Sequence, residues 1–456
     1  MLEKSEYTKI NKRDGILLIG ILAFQLFFLF NLKFTAWPEM LAWPYLMIKG
    51  WMPYRDIAIA HNPLLLVDLA IFYKFFGVGV WQLKFFTWLL IILSEMVLFL
   101  IAKEIWGRKV ALWSVLFYSF WVIFYEGNGI WFDFYMGILA FISFYLVYKK
   151  DWFLAGVFWS LAFLSKQTAI WFLFPILFEI IVRPPLKIES LKMVFGAGAV
   201  LSIFLFLLWK LGILFYWWNW AVNFGVFVLP KSTGQIKLPG FSELFVSLFP
   251  FFVFLLLFLN HKSKLLNLFL WSLAGILGAY PRFEYFHFQP AIFYLSIAAA
   301  LVFSDFKKIS KIGQMFLIFF VLGNTFLFAR FLERNFNKET RFYESDFRKV
   351  IDYVREETKP GDYIFVLNWW DSLYALTETI PATKPLVPQL AWYQEFDKIQ
   401  KKEVEDIASI RPKLVVLNSY TDSGLSSYIP KELYNYIDKN YIMVDEIGDV
   451  KILNLR

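Results

Sequence analysis

The stretch from Trp37 to Pro63 follows the first long apolar run and carries two side chains able to do chemistry, Asp56 and His61. It is rich in aromatic residues, interrupted by prolines and bears a few charges, which is typical of a loop at a membrane surface. A carboxylate there is suited to taking a proton from a hydroxyl or an amine. The alternative is a structural role, in which Asp56 caps a turn or pairs with Arg55.

The composition indicates a multi-pass membrane protein. Of the 456 residues, 59% are hydrophobic, 21% aromatic and 18% charged, and the mean hydropathy is +0.55. The net charge of +8 lies in short basic clusters between apolar runs, as topology signals do, so we expect no nucleic-acid partner. Cysteine is absent, which leaves neither disulfides nor thiolate metal sites. The run at 15–30 is predicted to be a permanent first helix rather than a cleaved signal.

Eleven apolar segments approach the roughly 20 residues that a helix needs to cross a bilayer. The sequence therefore predicts a multi-pass α-helical membrane fold with about eleven spans. The run at 64–80 is shorter, contains two charges and breaks at two glycines, so we expect a juxtamembrane helix there. The predicted spans are 15–32, 85–102, 110–125, 132–148, 152–165, 168–182, 193–212, 242–260, 265–280, 288–304 and 312–331.

Charge bias predicts the orientation of these spans. If 64–80 does not cross, the predicted inner stretches hold 17 Lys and Arg in 45 residues, whereas the outer stretches hold 10 in 99. Counting 64–80 as a span would reverse this bias, against the positive-inside rule. We therefore expect a plasma-membrane protein with a cytoplasmic N-terminus and an extracytoplasmic C-terminal region.

With this orientation, the unusual polar residues of the later loops fall on the same outer side as Asp56. They are therefore candidates for one shared site. The residues are Glu126, Asp133, Lys166, Gln167, Arg282, Glu284 and His287.

Lys166 lies in a turn between two apolar helices of 14 or 15 residues. At about 1.5 Å per residue such helices span roughly 22 Å, less than a bilayer core of about 30 Å, so the turn is expected below headgroup level. An ammonium group there is costly unless it faces a cavity or an anion. Lys166 either extends outward to water or meets a lipid-linked phosphate that enters from the membrane.

Most of the remaining polar positions also have two interpretations. Arg282 offers a planar fork of donors suited to phosphate, or anchors a lipid headgroup. His287 is either a donor to phosphate or a packed interfacial histidine. Asp133 opens a helix, where a carboxylate can cap the free N–H groups. The tryptophans of outer loop four, 210–240, form an interfacial belt or a flap over a prenyl chain or sugar.

An outer carboxylate with two cations slightly deeper suits sugar transfer from a phosphate-linked lipid. The leaving phosphate is already a weak base, so cations that stabilise its charge suffice without a general acid. One general base must take the proton of the acceptor, and Asp56 is the candidate. Glycoside hydrolysis differs, because it usually needs a pair of carboxyl groups across the bond.

Three motifs strengthen this interpretation. The stretch G-W-M-P-Y-R-D-I-A-I-A-H-N-P-L from Gly50 to Leu64, with F-F-G at 75–77, resembles the first-loop signature of GT-C polyprenyl-phosphate-sugar-dependent glycosyltransferases. The similar relatives are the dolichyl-phosphate-mannose protein mannosyltransferases and the lipid A aminoarabinose transferase. L-S-K-Q-T at 164–168 and P-R-F-E-Y-F-H-F-Q-P at 281–290 are similar to two later motifs of bacterial and archaeal relatives.

The resemblance implies roles for individual residues. Asp56 matches the catalytic aspartate, and Lys166 and Arg282 match cations near the lipid phosphate, to which we add His287. The chain departs from the pattern at Ile57, where protein mannosyltransferases typically have Glu, and in having only one proline, preceded by Asn62, where many relatives have two. The predicted sugar- or acceptor-binding residues are Tyr54, Arg55, His61, Glu126, Asp133, Gln167 and Glu284.

Composition changes after about Arg334, and residues 335–456 are predicted to form a small extracytoplasmic α/β domain. A helical face comprises Phe347, Val350, Ile351 and Val354, and strands are predicted at 362–367, 413–418, 441–446 and 450–455. This part has neither a glycine-rich phosphate loop nor a nucleophile motif. We expect it to cover the site or dock the acceptor, with Trp369, Trp370 and Tyr374 used mainly for core packing.

Several alternatives stay open. The rival functions are a transporter or flippase for a lipid-linked sugar and a non-catalytic binder of such lipids; transporters usually show internal repeats, and none is found here. The sugar, the acceptor (glycan, lipid or protein) and the carrier (a polyprenyl or dolichyl mono- or diphosphate) are undetermined. No cofactor is expected, although Asp56 and Asp133 leave a divalent cation open.

Overall fold

A computed structural model describes residues 12–182, 187–232, 235–260, 266–306, 309–338, 340–388, 391–394, 396, 398–418 and 429–456. Up to residue 338 the described chain is almost entirely helical. The helices are α1 (Lys12–Asn31), α2 (Glu39–Ile48), α3 (Leu64–Phe76), α4 (Val80–Trp106), α5 (Arg108–Phe124), α6 (Phe132–Tyr148), α7 (Trp152–Ser165), α8 (Leu173–Val182), α9 (Lys187–Lys210), α10 (Leu214–Trp217), α11 (Phe241–Leu248), α12 (Val253–Asn260), α13 (Leu266–Leu277), α14 (Gln289–Ser304) and α15 (Lys311–Asn335).

Each of the eleven predicted apolar segments contains a helix, which confirms the helical membrane-type fold. Among the described residues, five helices are long and apolar enough to cross a membrane, and five further apolar helices are shorter. The number of spans therefore stays a prediction. The five long segments are Lys12–Asn31, Val80–Trp106, Glu189–Lys210, Tyr285–Ser304 and Lys311–Asn335.

The run at 64–80 forms only α3, which ends at Gly77 with a φ of +81°. Thirteen residues rise about 20 Å, so α3 is shorter than a bilayer core, and its juxtamembrane position stays a prediction. The basic clusters at 1–11, 183–186, 261–264 and 307–308, which contribute to the predicted orientation, lie outside the described residues.

The predicted outer loop at 210–240 is largely helical instead. After α10 the chain forms a π-helix at Trp218–Val228 and a 3-10 turn at Leu229–Lys231. In an apolar environment the backbone N–H and C=O groups must form hydrogen bonds with each other. A helix forms these bonds within one segment, without a neighbouring strand. The tryptophans therefore lie on a helix and not on an extended loop.

Contacts divide the chain into two units. The first unit comprises the described parts of Met1–Thr35, Thr87–Ile203 and Leu238–Lys338; the second comprises those of Ala36–Phe86, Phe204–Lys237 and Glu339–Arg456. The first loop, with α2 and α3, thus groups with the C-terminal region, whereas α1 and most of α4 belong to the first unit. The domain boundary near residue 334 stays a prediction.

The first unit is built around α14. In the segment that includes α14, 89% of the residues in the most apolar stretch are buried. In α15 the corresponding share is 11%, so its apolar side chains face outward, as in a lipid-facing helix. Glycines allow close helix contacts: a Cβ on Gly156 of α7 would lie 2.1 Å from the carbonyl oxygen of Met193 on α9, and one on Gly275 would lie 2.7 Å from the nitrogen of Ala291. Backbone approach of this kind is typical of helices packed in membranes.

The second unit contains α2, α3, the first loop, the π-helix and the C-terminal region. The C-terminal elements are α16 (Ser345–Glu357), β1 (Tyr363–Leu367), α17 (Ser372–Thr377), β2 (Ile380–Pro381), α18 (Ala391–Gln394), α19 (Ile399–Ile410), β3 (Leu414–Asn418), α20 (Lys431–Asn440), β4 (Tyr441–Ile447) and β5 (Val450–Leu455). The sheet order is β2-β1-β3-β5-β4. β1 pairs in parallel with β2 and β3, whereas β5 is antiparallel to both β3 and β4.

This region confirms the predicted α/β pattern. The four predicted strands coincide with β1, β3, β4 and β5, and the buried face of α16 is the predicted one, Phe347, Val350, Ile351 and Val354. Tyr374 is fully buried and its hydroxyl accepts a hydrogen bond of 3.0 Å from the Val366 N–H, which confirms core packing for this side chain.

Candidate active site

The first loop holds Asp56 in a defined hydrogen-bond arrangement. Its Oδ2 accepts from the backbone N–H of Met52 at 2.9 Å and from Arg55 Nη2 at 3.0 Å, and its Oδ1 accepts from Arg55 Nε at 3.1 Å. The Asp56 side chain is 9% exposed, whereas that of Arg55 is 45% exposed. The expected Arg pairing is therefore present, and it places the carboxylate at the floor of the loop with the guanidinium at the surface.

These contacts determine the charge state of Asp56. Burial alone raises its pKa, but the Arg55 hydrogen bond, the Met52 N–H and the positive charge of Lys384 outweigh burial and hold the pKa below its usual value. Asp56 is thus a carboxylate at neutral pH. Since a carboxylate offers about four lone-pair sites and three are used here, one remains for a further donor.

Tyr54 gives the loop its shape. Its φ of +67° is uncommon for a residue with a Cβ, and the conformation is held by a fully buried ring whose hydroxyl donates to the His61 carbonyl at 3.0 Å. The buried ring helps to hold the loop in this conformation, and contact of Tyr54 with sugar or acceptor stays a prediction.

The C-terminal region supports the same loop. The N–H of Leu386 donates to the Asp56 carbonyl at 2.9 Å, and the N–H of Ala58 donates to the Leu386 carbonyl at 2.8 Å. Lys384, two residues earlier, places its ammonium 4.5 Å from the centre of the Trp51 ring. The sequence analysis missed Lys384 and Leu386, since no local motif marks residues that reach a distant loop.

The π-helix also packs on the loop. Trp217, just before it, donates from Nε1 to Asn62 Oδ1 at 3.0 Å, and a Cβ on Gly225 would lie 2.4 Å from the Ala60 carbonyl oxygen. The tryptophan-rich segment therefore packs against the first loop and supports it. Neither the belt nor the flap interpretation included this role.

Lys166, Asp133 and His287 meet in the first unit. Lys166 Nζ donates to Asp133 Oδ2 at 2.6 Å and lies 3.2 Å from His287 Nδ1, which itself is 3.0 Å from Asp133 Oδ2. The Lys166 side chain is 5% exposed and that of Asp133 is fully buried. The interpretation in which Lys166 extends to water is therefore wrong: an anion close to the lysine balances its charge.

Helix ends create this cluster. Lys166 lies between the end of α7 and a 3-10 helix at Gln167–Phe172, and Asp133 lies in the first turn of α6. Asp133 does not cap α6, since the N-cap is Trp131 and no side-chain cap forms; both its partners on Oδ2 come from other elements. His287 lies on a 3-10 helix at Tyr285–Phe288 that precedes α14.

The other predicted residues of the first unit lie outside the cluster of Lys166, Asp133 and His287. Arg282 Nε lies 3.4 Å from Glu284 Oε1, and both side chains are partly exposed. Gln167 is half-buried at the start of its 3-10 helix. Glu126 adopts a φ of +59° where α5 ends, and lines a cavity with Tyr285. Asp56, Tyr54, Arg55 and His61 belong to the second unit, whereas the remaining site residues belong to the first.

Within the described part of the chain, no group of three or more His, Cys, Asp or Glu side chains is arranged to hold a metal ion. Asp56 and Asp133, the pair considered for a divalent cation, belong to different units. Asp133 already has a lysine and a histidine on one oxygen, while its Oδ1 is without a hydrogen-bond partner.

Comparison with known proteins finds a family model and several solved structures that are similar to this chain. Residues 60–209 match the family model for dolichyl-phosphate-mannose-protein mannosyltransferase. No curated protein sequence matches the chain significantly. The chain is similar to the solved structure of ArnT from Cupriavidus metallidurans in the apo state, with 11% identity and a TM-score of 0.65 over 96% of this chain and 97% of that one.

Two further structures are similar. ArnT from the same organism bound to undecaprenyl phosphate has 11% identity and a TM-score of 0.64, covering 97% of this chain and 98% of that one. The archaeal oligosaccharyltransferase AglB from Archaeoglobus fulgidus, in complex with an inhibitory peptide and a dolichol-phosphate, has 12% identity and a TM-score of 0.57 over 98% of this chain and 74% of that one. The chain therefore has the fold of the GT-C glycosyltransferases.

Proposed function

We propose that this protein is an integral-membrane glycosyltransferase that moves a sugar from a polyprenyl- or dolichyl-phosphate donor to an extracytoplasmic acceptor. The match at residues 60–209 and the GT-C fold support this class, and the five long apolar helices support a place in the membrane. Two of the similar structures carry undecaprenyl phosphate or a dolichol-phosphate, the chemistry proposed for the donor. We propose the plasma membrane, with the N-terminus in the cytoplasm.

Asp56 is the proposed general base. The observation that supports this proposal is its carboxylate, which is ionised and fixed in place by hydrogen bonds. An acceptor hydroxyl or amine binds the remaining lone pair of Asp56 and attacks the anomeric carbon of the sugar. The bond from that carbon to the phosphate oxygen breaks, the phosphate leaves with the electron pair, and Asp56 takes the acceptor proton. No general acid is required, since the phosphate is a good leaving group.

The leaving phosphate needs positive charge nearby. We propose that Lys166, with His287, and Arg282 supply it. In the described arrangement Asp133 and Glu284 balance these cations, so the two carboxylates keep each cation in place before the donor binds. Arg55, His61, Glu126, Gln167 and Glu284 stay proposed contacts for sugar or acceptor, and the acceptor class, whether glycan, lipid or protein, is left to the assay.

The test uses membranes that contain the full-length protein, a radiolabelled prenyl-phosphate sugar and extracted acceptors. Asp56→Asn keeps the shape of the side chain and an oxygen that can accept from Met52 and Arg55 Nη2, but it loses the bond from Arg55 Nε and the charge, so transfer should fall by at least about 100-fold, the lower range for a lost general base. Asp352→Asn, on the exposed side of α16, is the matched control and should transfer normally.

Undiminished transfer by Asp56→Asn would remove the mechanism. Movement of the labelled donor across the bilayer without any transfer would instead support the flippase alternative, and donor binding with neither activity would support a non-catalytic binder.

A further inference from the structure

A buried carboxyl group lies at the junction of α2 and α17, two helices of the second unit that pack against each other. Asp371 occupies the N-cap position of α17 and is 5% exposed. An aspartate at an N-cap usually accepts a hydrogen bond from the first turn of its helix, but here no side-chain cap forms. Its Oδ1 is buried and has no hydrogen-bond partner among the described residues. The fold therefore buries this carboxyl group without using it to cap the helix.

The charged groups that act on Asp371 are two further carboxyls, Glu39 and Glu403. Glu39 opens α2, and its Oε2 is buried and lacks a hydrogen-bond partner within the described chain. Glu403 lies on α19 and is also buried. Tyr374 of α17 faces the same acids, and its hydroxyl is already used to accept from the Val366 N–H. Three carboxyl groups from three helices thus share one buried region.

The cation of this junction, Arg341, acts on Glu39. Its guanidinium carbon lies 4.7 Å from the centre of the Trp37 ring, just before α2, and 5.5 Å from that of Trp370, just before α17. Burial raises the pKa of Glu39, while its own backbone N–H and the charge of Arg341 oppose that rise. Within the described chain, no cation acts on Asp371 in this way. Asp371 is therefore the less compensated of the two acids.

These surroundings favour a proton on Asp371. An ionised carboxylate with a buried, unpaired oxygen and two acidic neighbours costs much more free energy than the neutral acid. Burial, followed by the charges of Glu39 and Glu403, accordingly raises the pKa of Asp371 well above its usual value. A shared metal ion does not offer an alternative, because the carboxyls of the described chain are not arranged in threes around a common position.

The position of α2 depends on this junction. In the second half of α2 the buried Tyr45 donates from its hydroxyl to the Thr379 carbonyl at 3.3 Å. The Thr379 hydroxyl in turn lies 2.8 Å from that of Thr377, the last residue of α17. These hydrogen bonds require α2 and α17 to stay packed. A charge on Asp371 would act on the same contact from its other end.

We propose that Asp371 makes the junction of α2 and α17 sensitive to pH: the helices pack closely while this carboxyl carries a proton and separate more readily once it ionises. The closed junction keeps the proton to a higher pH than the open one. Its stability therefore falls as pH rises from the ordinary pKa of Asp, about 3.9, towards the raised pKa of the closed state, and changes no further above that. Because α2 begins the segment that carries Asp56, the position of this loop becomes dependent on pH.

The test is hydrogen exchange of the purified full-length protein in detergent, measured by mass spectrometry at pH 6 and pH 8. Results are expressed as protection factors, which remove the intrinsic effect of pH on exchange. Protection of α2 and α17 should be at least about 10-fold lower at pH 8, since one proton linked to opening changes the opening constant by up to about tenfold per pH unit. Asp371→Asn cannot ionise and should give equal protection at both pH values. No substrate is present, so the outcome does not depend on the proposed transfer reaction.

Asp352→Asn, on the exposed side of α16, is the matched control and should show the fall seen in the wild type. Glu39→Gln removes one negative neighbour of Asp371, so the carboxyl ionises at lower pH and the fall between pH 6 and pH 8 should be smaller; a purely structural aspartate would not respond. Equal protection at both pH values in the wild type, a wild-type fall in Asp371→Asn, or an unchanged fall in Glu39→Gln would each overturn the proposal.

Discussion

Leu386 and Asp56 are joined through their backbones: the Leu386 N–H donates to the Asp56 carbonyl at 2.9 Å, and the Leu386 carbonyl accepts from Ala58 at 2.8 Å. The candidate base therefore lies on a segment that pairs with a strand-like piece of the C-terminal region. The sequence analysis expected this region to cover the site or dock the acceptor. Its backbone contact with the loop adds a third role, which is to hold the position of Asp56.

Leu386→Pro should disturb this pairing, because proline has no N–H to donate. We expect transfer to fall at least about 10-fold, as loss of precise positioning does in other enzymes. Leu386→Ile keeps the N–H and nearly the same volume and is the control. Initial rates of labelled-sugar transfer in membranes with matched protein amounts provide the measurement. Equal rates for the two variants would show that the pairing does not position the loop.

Lys384→Gln should shift the acid limb of the pH–rate profile to higher pH. Lys384 helps to hold the pKa of Asp56 below its usual value, so removing this charge raises that pKa and protonates the base at a less acidic pH. The same charge stabilises the folded state above the unfolded pKa of Asp, about 3.9, and this stabilisation is lost as pH falls through the folded pKa. The measurement is transfer rate against pH.

The control for this shift is Lys359→Gln, an exposed lysine that is not among the groups acting on Asp56. Arg55→Gln should shift the limb in the same direction and further, because Arg55 also donates hydrogen bonds to the carboxylate. A profile that stays in place for both variants would argue that another group sets the acid limb.

Lys166→Met should destabilise the protein by about 3–5 kcal/mol, the cost of leaving one partner of a buried ion pair alone. Adding Asp133→Asn should recover most of that loss, because no buried charge then remains unpaired. The free energy of unfolding in detergent gives the comparison. If the changes in unfolding free energy of the two single variants simply add up to that of the double variant, the two residues are not coupled, contrary to their 2.6 Å distance.

The recovered double variant also tests the phosphate role of Lys166. If the lysine contacts the donor, KM for the prenyl-phosphate sugar should rise while KM for the acceptor changes little. Equal changes in both would indicate a lysine that is only structural.

Gly156→Ala should destabilise the contact between α7 and α9. The added Cβ would lie 2.1 Å from the Met193 carbonyl oxygen, so the helices must separate, at a cost of about 1–3 kcal/mol. Gly198→Ala on α9 is the matched control, because its Cβ would have no neighbour within 4 Å. Thermal unfolding in detergent is the readout. A control variant that melts as early as Gly156→Ala would contradict this explanation.

Local patterns predicted most of the long helices and four of the five strands. Apolar runs of the right length marked the eleven predicted spans, each of which contains a helix, and short strand-like runs marked β1, β3, β4 and β5, since both signals depend on neighbours in sequence. The same patterns identified Asp56 and Lys166 as candidates, because a charge inside an apolar or aromatic stretch is conspicuous. The π-helix at Trp218–Val228 was missed, because the tryptophan-rich stretch at 210–240 was interpreted as an interfacial loop.

Sequence alone thus determined the helical membrane architecture, the α/β character of the C-terminal region and the residue types of the candidate site. Only the tertiary structure decided which of these residues meet: Asp133 with Lys166 and His287, and Asp56 with Leu386. The physical reason is that a buried charge or an unpaired backbone group must find a partner, but helix and sheet packing determines which distant residue lies within hydrogen-bond distance.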